Sequence, residues 1–119
     1  GFPNFFTLYG PNLQPGHGGS LINVIEMQMH YIIDLIEQMA AGELGSVDIR
    51  PDVHAEYNDR VDAAHENMVW THPGMSTYYR NTRGRIVVNS PYRNVDFYDW
   101  TRQADLDQYL VEPRHIPVS

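Results

Sequence analysis

The stretch from Leu21 to Ala41, LINVIEMQMHYIIDLIEQMAA, constrains the fold more than any other part of this chain. Leu21, Ile25, Met29, Ile32, Ile36 and Met39 recur every three or four residues, the spacing of one helical face. Ile22, Val24, Ile33 and Leu35 add apolar side chains on other faces. Ser20 offers an N-cap oxygen and Gly42 suits the C′ position, so a helix is predicted over Leu21 to Ala41. A helix that is apolar round most of its circumference needs cover on several sides. A chain of 119 residues has little to supply it. The spacing therefore predicts partner structure beyond this segment. Asn23, Glu26, Gln28, His30, Asp34 and Glu37 interrupt the run, so it cannot cross a bilayer.

The approach to this helix is informative. Phe5 to Tyr9 (FFTLY) is a short apolar run ending at Gly-Pro, as a buried strand would. The next ten residues, GPNLQPGHGG, hold four Gly and two Pro, which neither continue a strand nor begin a helix. Strand, glycine-rich loop and helix together bring backbone N–H groups and a positive helix end to one place. Such a place suits a phosphate, a carboxylate or an electron-rich carbonyl, and glycine lets backbone approach a flat ligand. Composition alone does not separate this from a plain surface loop before a core helix. The loop fits neither G-x-G-x-x-G nor the P-loop.

Farther along, Val47 to Arg50 reads as a short strand, and Pro51 stands where proline best opens a helix. Val53, Tyr57, Val61, Ala64 and Met68 form that helix's apolar stripe, with Glu56 and Arg60 spaced for an outer pair and an end near Trp70. Ser76 to Arg80 and Arg85 to Asn89, around the turn Asn81 to Gly84, suggest a hairpin. Asn94 or Asp96 would cap a short last helix through Trp100 to Arg102, and the tail from Val111 should be extended. The fold class is an α+β fragment: two main helices, short strands and a late hairpin.

Composition removes several functions. Net charge is −7 and all eight basic residues are Arg, which argues against nucleic acid and against an anionic membrane surface. There is no cysteine, so neither a disulfide nor a catalytic thiol is available. No signal peptide is visible, and a cytoplasmic location is expected. The six histidines show no metal-ligand spacing, so no metal is expected. Met27, Met29 and Met39 read as core filling. Asn23 and Glu26 could organise the loop or simply bond local backbone.

The order of these pieces resembles the carboxy-terminal part of Baeyer–Villiger monooxygenases. Gly1, Phe2, Pro3, Asn4, Phe5, Phe6, Gly10 and Pro11 fit the family's G-[FY]-P-N-[LM]-F-x-x-x-G-P phrase, and Ile25, Glu26 and Gln28 fit the I-E-x-Q core of the helix that follows. The likeness continues through VDIRPDVHAEYNDRVDAAHENMVW to Asn81, Gly84, Arg85 and Pro91, about residues 1–110. The subgroup acting on aryl ketones, such as hydroxyacetophenone monooxygenases, looks nearest.

The resemblance implies an enzyme that uses FAD, NADPH and O₂ to insert oxygen beside a ketone carbonyl, giving an ester or lactone. Residues 1–45 would end the FAD-binding domain, and residues 46–119 would form a carboxy-terminal extension. Gly10, Pro11, Asn12, Gly19, Ser20, Leu21 and Ile22 would line the flavin, and His17, Gly18 and Leu21 the substrate. Tyr78 stands where the family often has a Trp that folds over the nicotinamide cofactor, and the resemblance implies the NADPH contact for it. Rossmann fingerprints and the active-site Arg are absent, so the fragment should carry no catalytic residue, bind neither cofactor alone and depend on the rest of a parent chain. The rivals are a flavin N- or S-monooxygenase fragment and a stand-alone binding or self-association module, a homo-oligomer built on the apolar helix.

Overall fold

The long helix, α1, runs Leu21–Ala41, with the Ser20 hydroxyl accepting the Ile22 N–H at 3.2 Å. The structure is a computed structural model that describes residues 1–15, 18–74 and 76–115. At its far end Gly42 keeps φ −88°, and the left-handed residue is Glu43 at φ 54°. The reversal expected at Gly42 thus falls one residue later, where the chain turns into β1.

β1 (Leu44–Ile49) pairs antiparallel with β2 (Tyr109–Pro113), Val47 opposite Val111. Gly45 sits at the irregularity between Leu44 and Ser46, where a Cβ would come within 3.0 Å of the Arg114 backbone. The tail expected to be merely extended is therefore half of the sheet. Pro51 opens α2 (Pro51–His65) as expected, but this helix stops before Trp70. Thr71 Oγ1 donates to the carbonyls of His65 (2.7 Å) and Met68 (2.6 Å), turning the chain into a short 3-10 segment, Val69–Thr71. Arg60 lies over the Tyr57 ring, 5.9 Å from its centroid, rather than pairing with Glu56.

The hairpin survives only in part. One antiparallel bridge joins Arg80 and Ile86, and the Val87 N–H reaches the Tyr79 carbonyl at 2.9 Å. α3 (Asn94–Trp100) starts without a side-chain cap, so neither Asn94 nor Asp96 plays that part. Asn94 instead donates to the Gly18 carbonyl at 3.3 Å. Phe5 to Tyr9 forms no strand: left-handed residues at Asn4 (φ 60°) and Tyr9 (φ 53°) bend both ends of the run. No neighbouring strand holds it straight, and Phe5 is 69% exposed.

The apolar core is small. Leu35, Val47 and Ala104 are buried together, with Phe6, Tyr31, Met39, Leu106 and Tyr109 packed around them. Polar bonds fix the edges of that cluster. Asp34 Oδ2 accepts the Ala104 N–H and the Gln38 amide, both at 2.7 Å. The Ala104 N–H chiefly, then Gln38, hold the Asp34 carboxyl below its ordinary pKa. Tyr31 and Tyr109 meet hydroxyl to hydroxyl at 2.6 Å, and burial pushes both phenols upward.

The predicted stripe of α1 is covered only in part: Ile25, Ile32 and Met39 are half-buried, Met39 against the core, while Leu21, Met29 and Ile36 are exposed. Val24 and Leu35 are buried, whereas Ile22, Met29, Ile33 and Ile36 are exposed, roughly 150° away round the helix. The shape follows: the radius of gyration is 16.7 Å and the longest extent 64 Å. A compact domain of this length would have a radius of roughly 13–14 Å. Among the described residues no helix is long and apolar enough to cross a membrane.

Candidate functional site

The loop that leads into α1 is held from behind by the segment after the hairpin-like turn. The Asn12 N–H bonds the Val87 carbonyl (3.0 Å), the Gln14 N–H the Val88 carbonyl (3.1 Å), and the Ser90 N–H returns to the Gln14 carbonyl (2.9 Å). Gln14 and Asn89 form a parallel bridge. At the front, Gln28 of α1 accepts the Tyr9 N–H at 2.7 Å and donates to the Thr7 carbonyl at 3.3 Å. Gln28 matters here as a strut; in sequence it stood out only as a polar break in the apolar run and as part of the I-E-x-Q phrase.

Asn12 turns its side chain inward. Its Nδ2 lies 2.9 Å from the Ile86 carbonyl, 3.1 Å from that of Asn89 and 3.2 Å from His65 Nε2. The residue is buried and adopts φ 60°, a left-handed conformation that asparagine tolerates better than most. Its contribution to any ligand is therefore through backbone, because the carboxamide is spent on the interior.

His65 is the residue that sequence reading missed. It is buried, and its Nδ1 accepts the Trp70 indole N–H at 2.9 Å. An indole nitrogen only donates, so Nδ1 carries no proton and the neutral ring is protonated on Nε2. Burial, chiefly, then the nearby Arg85 guanidinium lower its pKa, while Asp62 opposes them. The Trp70 ring stands edge-on to His65 and to Tyr79, at centroid distances of 6.0 and 6.4 Å. Asn89 Oδ1 is buried without a hydrogen-bond partner among the described residues. The only sequence signal for this cluster was a histidine at the end of an amphipathic helix, which ordinarily marks a C-terminal cap.

The loop's other side is open. Gly18 and Gly19 take φ 95° and 103°, backbone that other residues rarely adopt, and a Cβ on Gly19 would run into the Asn94 carboxamide. Gly18, Gly19, Ser20, Leu21 and Ile22 are all exposed. They form one face: a glycine pair, a capping hydroxyl, the start of a 21-residue helix and two apolar side chains. Gly10 lies at the near end, where a Cβ would come 2.9 Å from Thr7 Oγ1, and Pro11 is exposed beside it. His17, expected on this face, lies outside the described residues. Tyr78 is 74% exposed, tilted against Tyr79 with ring centroids 4.4 Å apart, and belongs to the later segment. Asn23 and Glu26 line a separate groove of about 380 Å³ with Met27, His30, Tyr98 and Arg102. Among the described residues no group of three or more acidic or histidine side chains converges as metal ligands would.

This arrangement can present backbone donors and a positive helix end to a flat, electron-rich ligand from one side. It does not enclose one. Comparison with known proteins supplies the context. The chain is 48% identical over 96% of its length to an uncharacterized monooxygenase of Sinorhizobium fredii, of which it covers 17%. It is 35% identical over 93% of its length to a Baeyer–Villiger monooxygenase of Streptomyces coelicolor, covering 21% of that protein.

Its homologues are monooxygenases. A further one, from Aspergillus niger, is named an FAD-binding monooxygenase and is 34% identical over 92% of the chain, which covers 19% of it. The chain thus spans about a fifth of the length of the curated relatives it matches. No family model and no solved structure matches. The open face thus lies in a chain that matches only a short segment of each of these named monooxygenases.

Proposed function

We propose that this chain is the carboxy-terminal portion of an FAD- and NADPH-dependent Baeyer–Villiger monooxygenase, whose parent inserts one atom of O₂ beside a ketone carbonyl. The observation that carries the reading is the exposed, glycine-flanked amino terminus of α1, in a chain whose relatives include named Baeyer–Villiger and FAD-binding monooxygenases. An aryl ketone, of the kind taken by hydroxyacetophenone monooxygenases, is the substrate class that the sequence motifs favour.

The residues present fit a flavin as one wall. A flat ring needs close backbone, which Gly18 and Gly19 provide, and an exposed apolar edge, which Leu21 and Ile22 provide. FAD would supply the electron transfer and the activation of oxygen. The chain's own part is electrostatic. N–H groups in the first turn of α1 would stabilise negative charge on the ring edge, and Ser20 keeps that turn in place by holding the Ile22 N–H. Gly10, Pro11 and the Asn12 backbone would border the ring, braced by residues 86–90 behind them. His17, Gly18 and Leu21 would face the ketone, and exposed Tyr78 would meet the nicotinamide cofactor. The bare face of α1 would pack on the remainder of the parent chain.

The test is product analysis with the full-length parent protein. It should purify with FAD, consume NADPH when an aryl ketone is added, and yield the corresponding ester. A protein that holds FAD but gives only N-oxides or sulfoxides is a flavin N- or S-monooxygenase instead. One that holds no FAD overturns the reading.

A further inference from the structure

Three of the chain's eight arginines fall within the six residues Arg80 to Arg85, in a molecule whose net charge is −7. The turn that carries them is tied down by its own backbone. Asn81 Oδ1 accepts the N–H groups of Arg83 and Arg85, both at 3.0 Å, and the Asn81 N–H bonds the Arg85 carbonyl at 2.9 Å. All three side chains line one open groove of about 610 Å³, closed on the other side by His65, Glu66 and Thr71. We propose that this groove binds a phosphate group, held chiefly by Arg80 and Arg83.

The cations are not consumed by the fold. Arg85 is: its Nε pairs with Asp62 at 2.8 Å and its Nη2 bonds Asn58 at 2.8 Å. Arg80 spends Nη1 on the Gly84 carbonyl at 2.6 Å, which steadies the guanidinium without neutralising it. Neither Arg80 nor Arg83 has a carboxylate partner among the described residues. Nor do they compensate the carbonyl end of α2, because the His65 carbonyl is served by the Thr71 hydroxyl and the Met68 N–H. Glu66 at the rim is the one carboxylate in the groove that no arginine engages.

Like charges that share one groove repel. An anion with several acceptor oxygens removes that repulsion, and planar guanidinium forks match phosphate geometry. A dianion suits the groove better than a carboxylate, since two free cations face a single free acid. The inference stands apart from the flavin reading, because it invokes no residue of the loop or of α1.

Inorganic phosphate titrated into the 119-residue chain at constant ionic strength, with chloride as control, tests it through the arginine Nε–H resonances. The expected result is a saturable shift of the Arg80 and Arg83 signals with phosphate and none with chloride. Arg83→Gln should weaken binding about tenfold, the loss of one charge-assisted contact. Glu66→Gln should tighten binding, by removing the opposing charge. Adenosine monophosphate bound more tightly than phosphate would assign a nucleotide, and equal affinity would assign a free phosphate group. Equal shifts with chloride, unchanged affinity in Arg83→Gln, or weaker affinity in Glu66→Gln would overturn the proposal.

Discussion

Two clusters hold this molecule together, and they do so by different physics. Around Leu35, Val47 and Ala104 the cohesion is area: apolar side chains removed from water, with Asp34, Gln38 and the tyrosine pair trimming the edges. Around Asn12, His65, Trp70 and Asn89 it is direction: few apolar atoms, but an Asn12 amide aimed at the Ile86 and Asn89 carbonyls and a Trp70 indole N–H aimed at His65 Nδ1. The first should respond to volume and, near neutral pH, hardly to protons, because Asp34 titrates below that range and Tyr31 and Tyr109 above it. The second should respond to the loss of single atoms and to protons. The second is also the one that backs the loop leading to α1, so chemistry on the loop is hostage to polar order behind it.

The difference is sharpest if each cluster is struck in its own currency. Leu35 has no exposed surface, and Leu35→Ala should cost about 2–5 kcal/mol, read from the urea or thermal midpoint. Asn12→Ala removes almost no apolar area yet strands the Ile86 and Asn89 carbonyls, at about 1–3 kcal/mol. Its effect should be local as well: hydrogen exchange at Gln14 and Ser90 should speed up while the β1–β2 amides keep their protection. If both variants loosen the whole chain alike, the two clusters are one cooperative unit and the contrast fails.

Protons should divide the clusters next. Burial holds the folded His65 pKa below the ordinary value of about 6.5, so the unfolded chain takes up its proton first. Stability from this ring is complete above about pH 6.5 and drains as pH falls through the window beneath it. A protonated ring would also set an Nδ1–H against the Trp70 indole N–H, with no acceptor between them. His65→Gln should flatten the pH dependence of the melting temperature between neutral and mildly acid pH. An unchanged slope would mean that the proton is taken up elsewhere.

The contrast also explains what could be read in the chain beforehand. α1 was legible to the residue because what defines it is local: a capping serine and a helical period. Pro51 was legible for the same reason, and β1 in part: expected over Val47 to Arg50, it runs Leu44–Ile49. The β1–β2 pairing was not, because Val47 and Val111 are joined only by the folded context. Nor was the polar cluster, in which Asn12 and His65 stand 53 residues apart with nothing local to announce either. Phe5 to Tyr9 misled because a strand needs a neighbour to pair with, and its apolar composition cannot say whether one is present. Within the candidate site, the glycine-flanked face was visible as composition, but its bracing by Gln28 and by residues 86–90 was not.

The smallest expected effect is the most instructive about α1. Ile33 is 48% exposed on the bare face, so Ile33→Ser should change the stability of this chain by no more than about 0.5 kcal/mol, as surface substitutions do. In the full-length parent the same change should cost about 1–3 kcal/mol, because there the isoleucine would be covered and the serine hydroxyl buried. Thermal melts of the two proteins with and without the substitution make the comparison. Equal small effects in both would mean that the face from Ile22 to Ile36 stays open in the parent too. Its apolar character would then have to be explained by a partner other than the rest of its own chain.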